Sequence, residues 1–152
     1  MEAHFYDDIS KFYNIAYPFL LRKEVENGLH LSILNALKKN LERYGEESPI
    51  LCTINERADV KLVSLRTPPY NQILSYTDKL ETIDTLINAL IQRKEVIPGV
   101  LGFKKGVERF SRLWCKKIDV KSKIVMNERI YKLKNIATDT LGKNKFMKAT
   151  DS

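Results

Sequence analysis

Few side chains in this 152-residue chain are of the types that carry covalent or metal chemistry. The two cysteines, Cys52 and Cys115, and the two histidines, His4 and His30, are too few and too far apart to build a zinc or iron site at the short spacings such sites use. Both cysteines read as small apolar fillers rather than as a disulfide pair. More informative is RTPPYNQILSYTD at 66–78, followed at once by KLETIDTLINALIQRK. A strand that runs through a short junction into a helix aims free N–H groups at the junction, and phosphates bind there when glycines let them approach. Ser75, Tyr76, Thr77 and Asp78 include no glycine. Asp78 with Glu81 three residues later instead resembles a capping box, whose carboxylates would take those N–H groups and repel a phosphate by about 1 kcal/mol per charge.

A second set of chemistry-bearing residues is basic. Lys105, Arg109, Arg112 and Lys116 recur at helical spacing within KKGVERFSRLWCKKID, and Lys132, Lys134, Lys143, Lys145 and Lys148 crowd the end of the chain, which carries a net charge of +7. A nucleic-acid reader interleaves such charges with exposed aromatics or displays a known module, and neither pattern is present. The stripe reads as a solvated face, and nucleic acid is not expected as a partner.

These residues must be positioned by a single domain, since 152 residues with 43% hydrophobic and 30% charged content can bury their own core. The longest apolar run, YPFLL at 17–21, is too short to span a bilayer, and without a signal peptide a cytoplasmic location is expected. HFY at 4–6 reads as an edge strand. Asp7 and Asp8 precede a helical pattern through Phe12, Ala16 and Leu20, with a kink or break expected at Pro18. A second helix is predicted from Asn27 through Leu29, Leu34 and Leu41, ending by Gly45. PILCTIN and VKLVSLR, joined by the polar NERAD, predict a hairpin, and QILSY a third strand of the meander.

The clearest helix is 79–94, with Leu80, Ile83, Leu86, Ile87, Leu90 and Ile91 on one face. VIPGVLG at 96–102 reads as a buried strand. Residues 104–119 read as a helix with Val107, Phe110, Trp114 and Ile118 inside, and KIVMNERIYKL at 123–133 as a long strand. The fold class is therefore α/β in the broad sense (α+β): a mixed, mostly antiparallel central sheet with helices on both faces.

That order, with two helices after the first strand and then a meander and a helix, resembles the GNAT superfamily of acetyl-coenzyme-A-dependent N-acetyltransferases, the acyl-CoA N-acyltransferase fold. YPFLL, RTPPYNQILSYTD, PGVLG, FSRLW and ERIYKL are similar to the N-terminal half of bacterial proteins carrying two GNAT-like domains in tandem. The family binds the pyrophosphate of acetyl-CoA through a motif of Arg or Gln, two residues, Gly, one residue, and Gly or Ala. LSYTDKL at 74–80 stands in that place without a glycine, so Ser75, Tyr76, Thr77 and Asp78 occupy the cofactor position, and no cofactor is expected to bind this chain alone. The resemblance implies a degenerate, non-catalytic domain over residues 1–133, a linker over 134–142, and at 143–152 the opening strand of a second GNAT domain. That second domain is the implied partner, with homo-oligomerisation left open.

If the chain were active in its own right, the family's chemistry would need a proton donor for the departing thiolate and a base for the amine. Tyr70 and Tyr76 are the candidates for the first role and Glu128 for the second. A plainer reading makes the tyrosines ordinary strand aromatics. A third function class, an anion-binding or nucleic-acid-binding module, would use Lys105, Arg109, Arg112 and Lys116.

Overall fold

The computed structural model describes residues 1–132; the expected linker at 134–142 and the strand-like stretch from Lys143 lie outside the described residues. In chain order the elements are β1 (Glu2–Tyr6), α1 (Ile9–Leu21), α2 (Gly28–Lys39), β2 (Ile50–Glu56), β3 (Asp59–Arg66), β4 (Gln72–Leu74), α3 (Glu81–Gln92), β5 (Val100–Gly102) and α4 (Lys104–Ile118). The strands form one sheet in the order β1-β2-β3-β4-β5. Pairings are antiparallel up to β4, whereas β4 and β5, joined through α3, run parallel. The chain thus folds as a mixed α/β domain with a five-stranded mixed sheet and four helices.

Alternation along the strands sends side chains to opposite faces and so builds two cores. Leu51, Val63, Leu65 and Ile73 pack with Phe12, Ala16, Leu20, Leu34 and Leu37 of α1 and α2. Cys52, Ile54, Leu62 and Leu74 pack with Ile83, Leu86, Ile87, Leu90, Phe110 and Trp114 of α3 and α4. Helices therefore cover both faces, and each buried Leu, Ile or Phe contributes about 1.5–3 kcal/mol of transfer free energy. The β2–β3 hairpin closes through Arg57 and Ala58, with Arg57 at φ 56 and Glu56 opposite Asp59. Asp8 caps α1, its carboxylate accepting from the N–H groups of Ser10 and Lys11 at 2.7 and 3.3 Å.

Five expectations need correction. α1 continues through Pro18 without a break, because Pro18 and Asn14 both lie on the exposed side, where water can serve the carbonyl that proline leaves without a donor. α2 ends at Lys39 rather than by Gly45, because Asn40 turns extended (φ −150) and its side-chain oxygen accepts from the N–H of Glu42 at 3.0 Å, starting a turn there. Leu41, beyond that end, is consequently exposed, and Leu29 in the first turn of α2 is exposed as well. β5 is an edge strand and only half-buried, since nothing pairs on its far side among the described residues. Ile118 is also exposed: Asp119 takes the left-handed conformation and ends α4 there. Finally, residues 123–132 form no strand; they are exposed throughout and pair with no strand among the described residues, and a strand's backbone groups need such pairing. Among the described residues no helix is long and apolar enough to cross a membrane.

Candidate functional site

The strand-to-helix junction at 75–80 lies where the parallel pair ends. β4 and β5 run side by side as Gln72 opposite Val100, Ile73 opposite Leu101 and Leu74 opposite Gly102. Gly102 has φ 153, and a Cβ there would sit 2.7 Å from the Leu74 carbonyl oxygen, so the last rung of this pair requires glycine. Beyond that rung the strands part, one into α3 through residues 75–80 and the other into α4 through Phe103. The rings of Tyr76 and Phe103 meet across the gap, with centroids 5.4 Å apart at 50°. An aromatic pair therefore occupies the place where the strands open.

The junction backbone is held largely by side chains. Ser75 continues the ladder to β3, its N–H donating to the Val63 carbonyl and its Oγ accepting from the Val63 N–H, each at 2.9 Å. The Tyr76 N–H donates to Asn27 Oδ1 at 2.9 Å, while Asn27 Nδ2 donates to the Leu20 carbonyl at 3.1 Å. Buried Asn27 thus ties the end of α1, the start of α2 and the junction together. The Tyr76 hydroxyl donates to Asp78 Oδ1 at 2.8 Å, and this bond and the carboxylate's charge push the phenol above its ordinary pKa. Lys23 Nζ lies 5.3 Å from the centre of the same ring.

The start of α3 corrects the capping-box expectation. The cap position is Leu80, which makes no side-chain cap bond; Asp78 lies two residues too early and is occupied by Tyr76. The turn closes through threonines instead. Thr77 Oγ1 accepts from the Lys79 N–H at 3.1 Å, and Thr82 donates both its N–H (3.1 Å) and its Oγ1 (2.6 Å) to the Lys79 carbonyl. Lys79 Nζ in turn contacts both carboxylate oxygens of Glu56 at 2.6 and 2.7 Å, which holds that carboxyl below its usual range. Ser75, Tyr76, Thr77 and Asp78 are therefore all engaged in local structure, though not through the cap that their sequence implied.

The other candidates do not converge on this junction. Tyr70 precedes β4 and Tyr76 follows it, so the strand separates them; Tyr70 is exposed, and its carbonyl accepts from Arg66 Nε at 2.9 Å. Glu128 is exposed within the irregular stretch 120–132 rather than on a strand. Of the basic stripe, Arg109 is taken by Asp84 in a two-point ion pair at 2.7 Å, which holds the Asp84 carboxyl low and the guanidinium high. Lys105, Arg109 and Arg112, with Leu80 and Glu108, line an open depression of about 330 Å³ beside the start of α3, and Lys116 is not among them. Cys52 is buried, and burial pushes its thiol up to about 12, so it stays protonated and inert at neutral pH.

Chemically the junction offers a phenol that keeps its proton and donates it to a carboxylate, two threonine hydroxyls turned onto the backbone, and a solvated lysine–glutamate pair. Sequence reasoning missed Asn27 and Phe103. Asn27 sits 49 residues from its partner Tyr76, and the only available signal was a polar residue at a predicted helix start. No family model matches the chain, and no curated protein or solved structure matches it.

Proposed function

We propose that this chain is a GNAT-like domain that does not bind acetyl-CoA by itself, the non-catalytic N-terminal half of a protein that transfers an acetyl group from acetyl-CoA to an amine. The reading rests on the element order quoted for the resemblance together with the closure of the β4–β5 end. In the family's fold the cofactor's pyrophosphate needs glycine backbone at the junction before α3. Here Tyr76 and Phe103 pack against each other at that end, and the junction N–H groups of Tyr76 and Lys79 are spent on Asn27 and Thr77. The active partner under this reading is a second GNAT domain, which would supply the cofactor site.

Calorimetric titration with acetyl-CoA tests it. Weak or no heat is the expected result; micromolar binding that free coenzyme A competes away would overturn it in favour of an active acetyltransferase with an atypical site, in which Tyr76 would be the proton donor. A second reading, an anion-binding module, is favoured by one specific observation: residues 104–132 carry ten basic side chains against three acids, while residues 1–103 carry twelve against fourteen. Retention on an immobilised polyanion that falls steeply with salt, and that Lys105→Ala with Arg112→Ala abolishes, is the result that reading requires.

A further inference from the structure

The end of α4 and the stretch that follows it expose charge and apolar side chains together. Every residue from Lys116 to Lys132 is exposed, and Ile124, Val125, Met126, Ile130 and Tyr131 are 59–85% exposed. Among them stand Lys116, Lys117, Lys121, Lys123, Arg129 and Lys132, against Asp119 and Glu128 alone. None of these six basic groups is in an ion pair among the described residues. Large apolar side chains crowded and exposed to this degree mark an interaction site. The uncompensated basic charge beside them selects a partner that is anionic as well as apolar.

Periodicity narrows that partner further. In extended form Glu128 shares a side with Ile124, Met126 and Ile130, while Val125 and Tyr131 share the other with Lys123 and Arg129. Wound as a helix, Lys121, Val125 and Arg129 stand one above another. A strand or helix that docks on a folded protein buries one apolar face, and neither form of this stretch has one. Single-stranded nucleic acid stacks its bases on aromatic rings, and Tyr131 is the one ring within 116–132. A fluid anionic interface imposes neither condition. It takes up apolar side chains at any rotation, while the stems of Lys and Arg lie along the apolar layer and leave their charges among the headgroups.

We propose that residues 116–132 attach this domain to the surface of an anionic lipid bilayer. The proposal rests on the anion-binding reading above and is independent of whether the fold is GNAT-like. Ile124, Val125, Met126, Ile130 and Tyr131 enter the boundary between headgroups and acyl chains, and the six basic residues supply the attraction to anionic lipid. The rest of the molecule sets the orientation: residues 1–103 carry twelve basic side chains against fourteen acids, so the anionic surface repels the folded body and draws in the end of α4. The domain then lies on the bilayer without crossing it.

Co-sedimentation of the full chain with vesicles tests it, using phosphatidylcholine alone and phosphatidylcholine with about a third phosphatidylserine. The chain should bind the anionic vesicles at least about tenfold more tightly than the neutral ones. Lys121→Gln with Lys123→Gln should weaken that binding by roughly tenfold or more, since each basic residue near such a surface contributes about a factor of five. Ile124→Ser with Ile130→Ser should weaken it by on the order of tenfold, while retention on an immobilised polyanion and the circular dichroism stay as in the wild type. A chain held by the polyanion but not by the vesicles overturns the proposal and leaves the anion-binding reading standing; a chain held by neither overturns both. Vesicle binding that is equal on the two lipids, or indifferent to the isoleucine pair, also overturns it. Self-association in light scattering that the isoleucine pair abolishes would assign these side chains to a second copy and overturn it. So would an isoleucine variant that fails to fold, because the two side chains would then belong to the domain's own packing.

Discussion

The two faces of the sheet bury similar amounts of aliphatic side chain and differ in what else they bury. Under α1 and α2 the core encloses polar groups with structural tasks: His30, whose Nε2 has no partner, and Asn27, which reaches across to the candidate site. Under α3 and α4 the interior polar contacts stay local: Gln72 Nε2 donates to Ser64 Oγ at 2.7 Å, Ser64 Oγ to the Ile73 carbonyl at 2.9 Å and Thr82 Oγ1 to the Lys79 carbonyl at 2.6 Å, and the charged contact, Arg109 to Asp84, sits at the rim. The junction that opens α3 is therefore held in place by the opposite face. Its backbone is tied to the start of α2 through Asn27 as well as to α3 through Thr82.

Equal truncation of the two cores sets the scale. Leu34→Ala under α2 and Leu86→Ala under α3, both fully buried, should each cost about 2–5 kcal/mol in chemical denaturation. A large inequality would mean that one face collapses around the cavity more readily than the other.

Acid should separate the faces next. Burial lowers the His30 pKa to about 4 from an ordinary 6.5, so the unfolded state binds the proton first. The stability this contributes is fully present above about pH 6.5, falls as pH drops toward 4, and amounts to an upper limit on the order of 3 kcal/mol. Denaturation midpoints at pH 7 and pH 4.5 should therefore fall further for the wild type than for His30→Met. Equal falls would place the acid sensitivity elsewhere.

Asn27→Ala removes the acceptor of the part-buried Tyr76 N–H and one of two donors to the Leu20 carbonyl, which keeps the Lys23 N–H at 3.2 Å, and should cost about 1–3 kcal/mol. If the junction follows α2, near-ultraviolet signals from Tyr76 should also change. On the other face, Arg109→Ala removes a partly exposed ion pair and should cost about 1 kcal/mol or less, and less still in high salt. Smallest of all, Asp78→Ala should shift stability within about 0.5 kcal/mol, because the residue is exposed and caps nothing. A loss near 1 kcal/mol would restore it as a cap.

The order of elements from β1 through α4 was legible because the pattern changes between them: short apolar, β-branched runs in Ile50–Glu56 and Asp59–Arg66, and an apolar stripe in Glu81–Gln92. Runs apolar on successive residues are what a sheet covered on both faces requires. Less legible were the ends of elements, where local competitors decide: Asn40 rather than Gly45 stops α2, and Thr77 with Thr82 rather than Asp78 shapes the start of α3. Both outcomes turn on which of several nearby oxygens reaches a free N–H group first, and several candidates stood within one turn.

At the candidate site the sequence by itself determined the absence of glycine from 75–78, a matter of residue identity alone. Everything that fills the place depended on tertiary structure. Tyr76 meets Phe103 because β4 and β5 lie parallel and then diverge, and it meets Asn27 because α2 packs on the sheet's other face; neither partner lies within reach along the chain. The fate of residues 123–132 shows the same division from the other side. Their Val, Ile and Tyr content suits a strand, but a strand exists only where a neighbouring edge accepts its hydrogen bonds, and among the described residues no edge does.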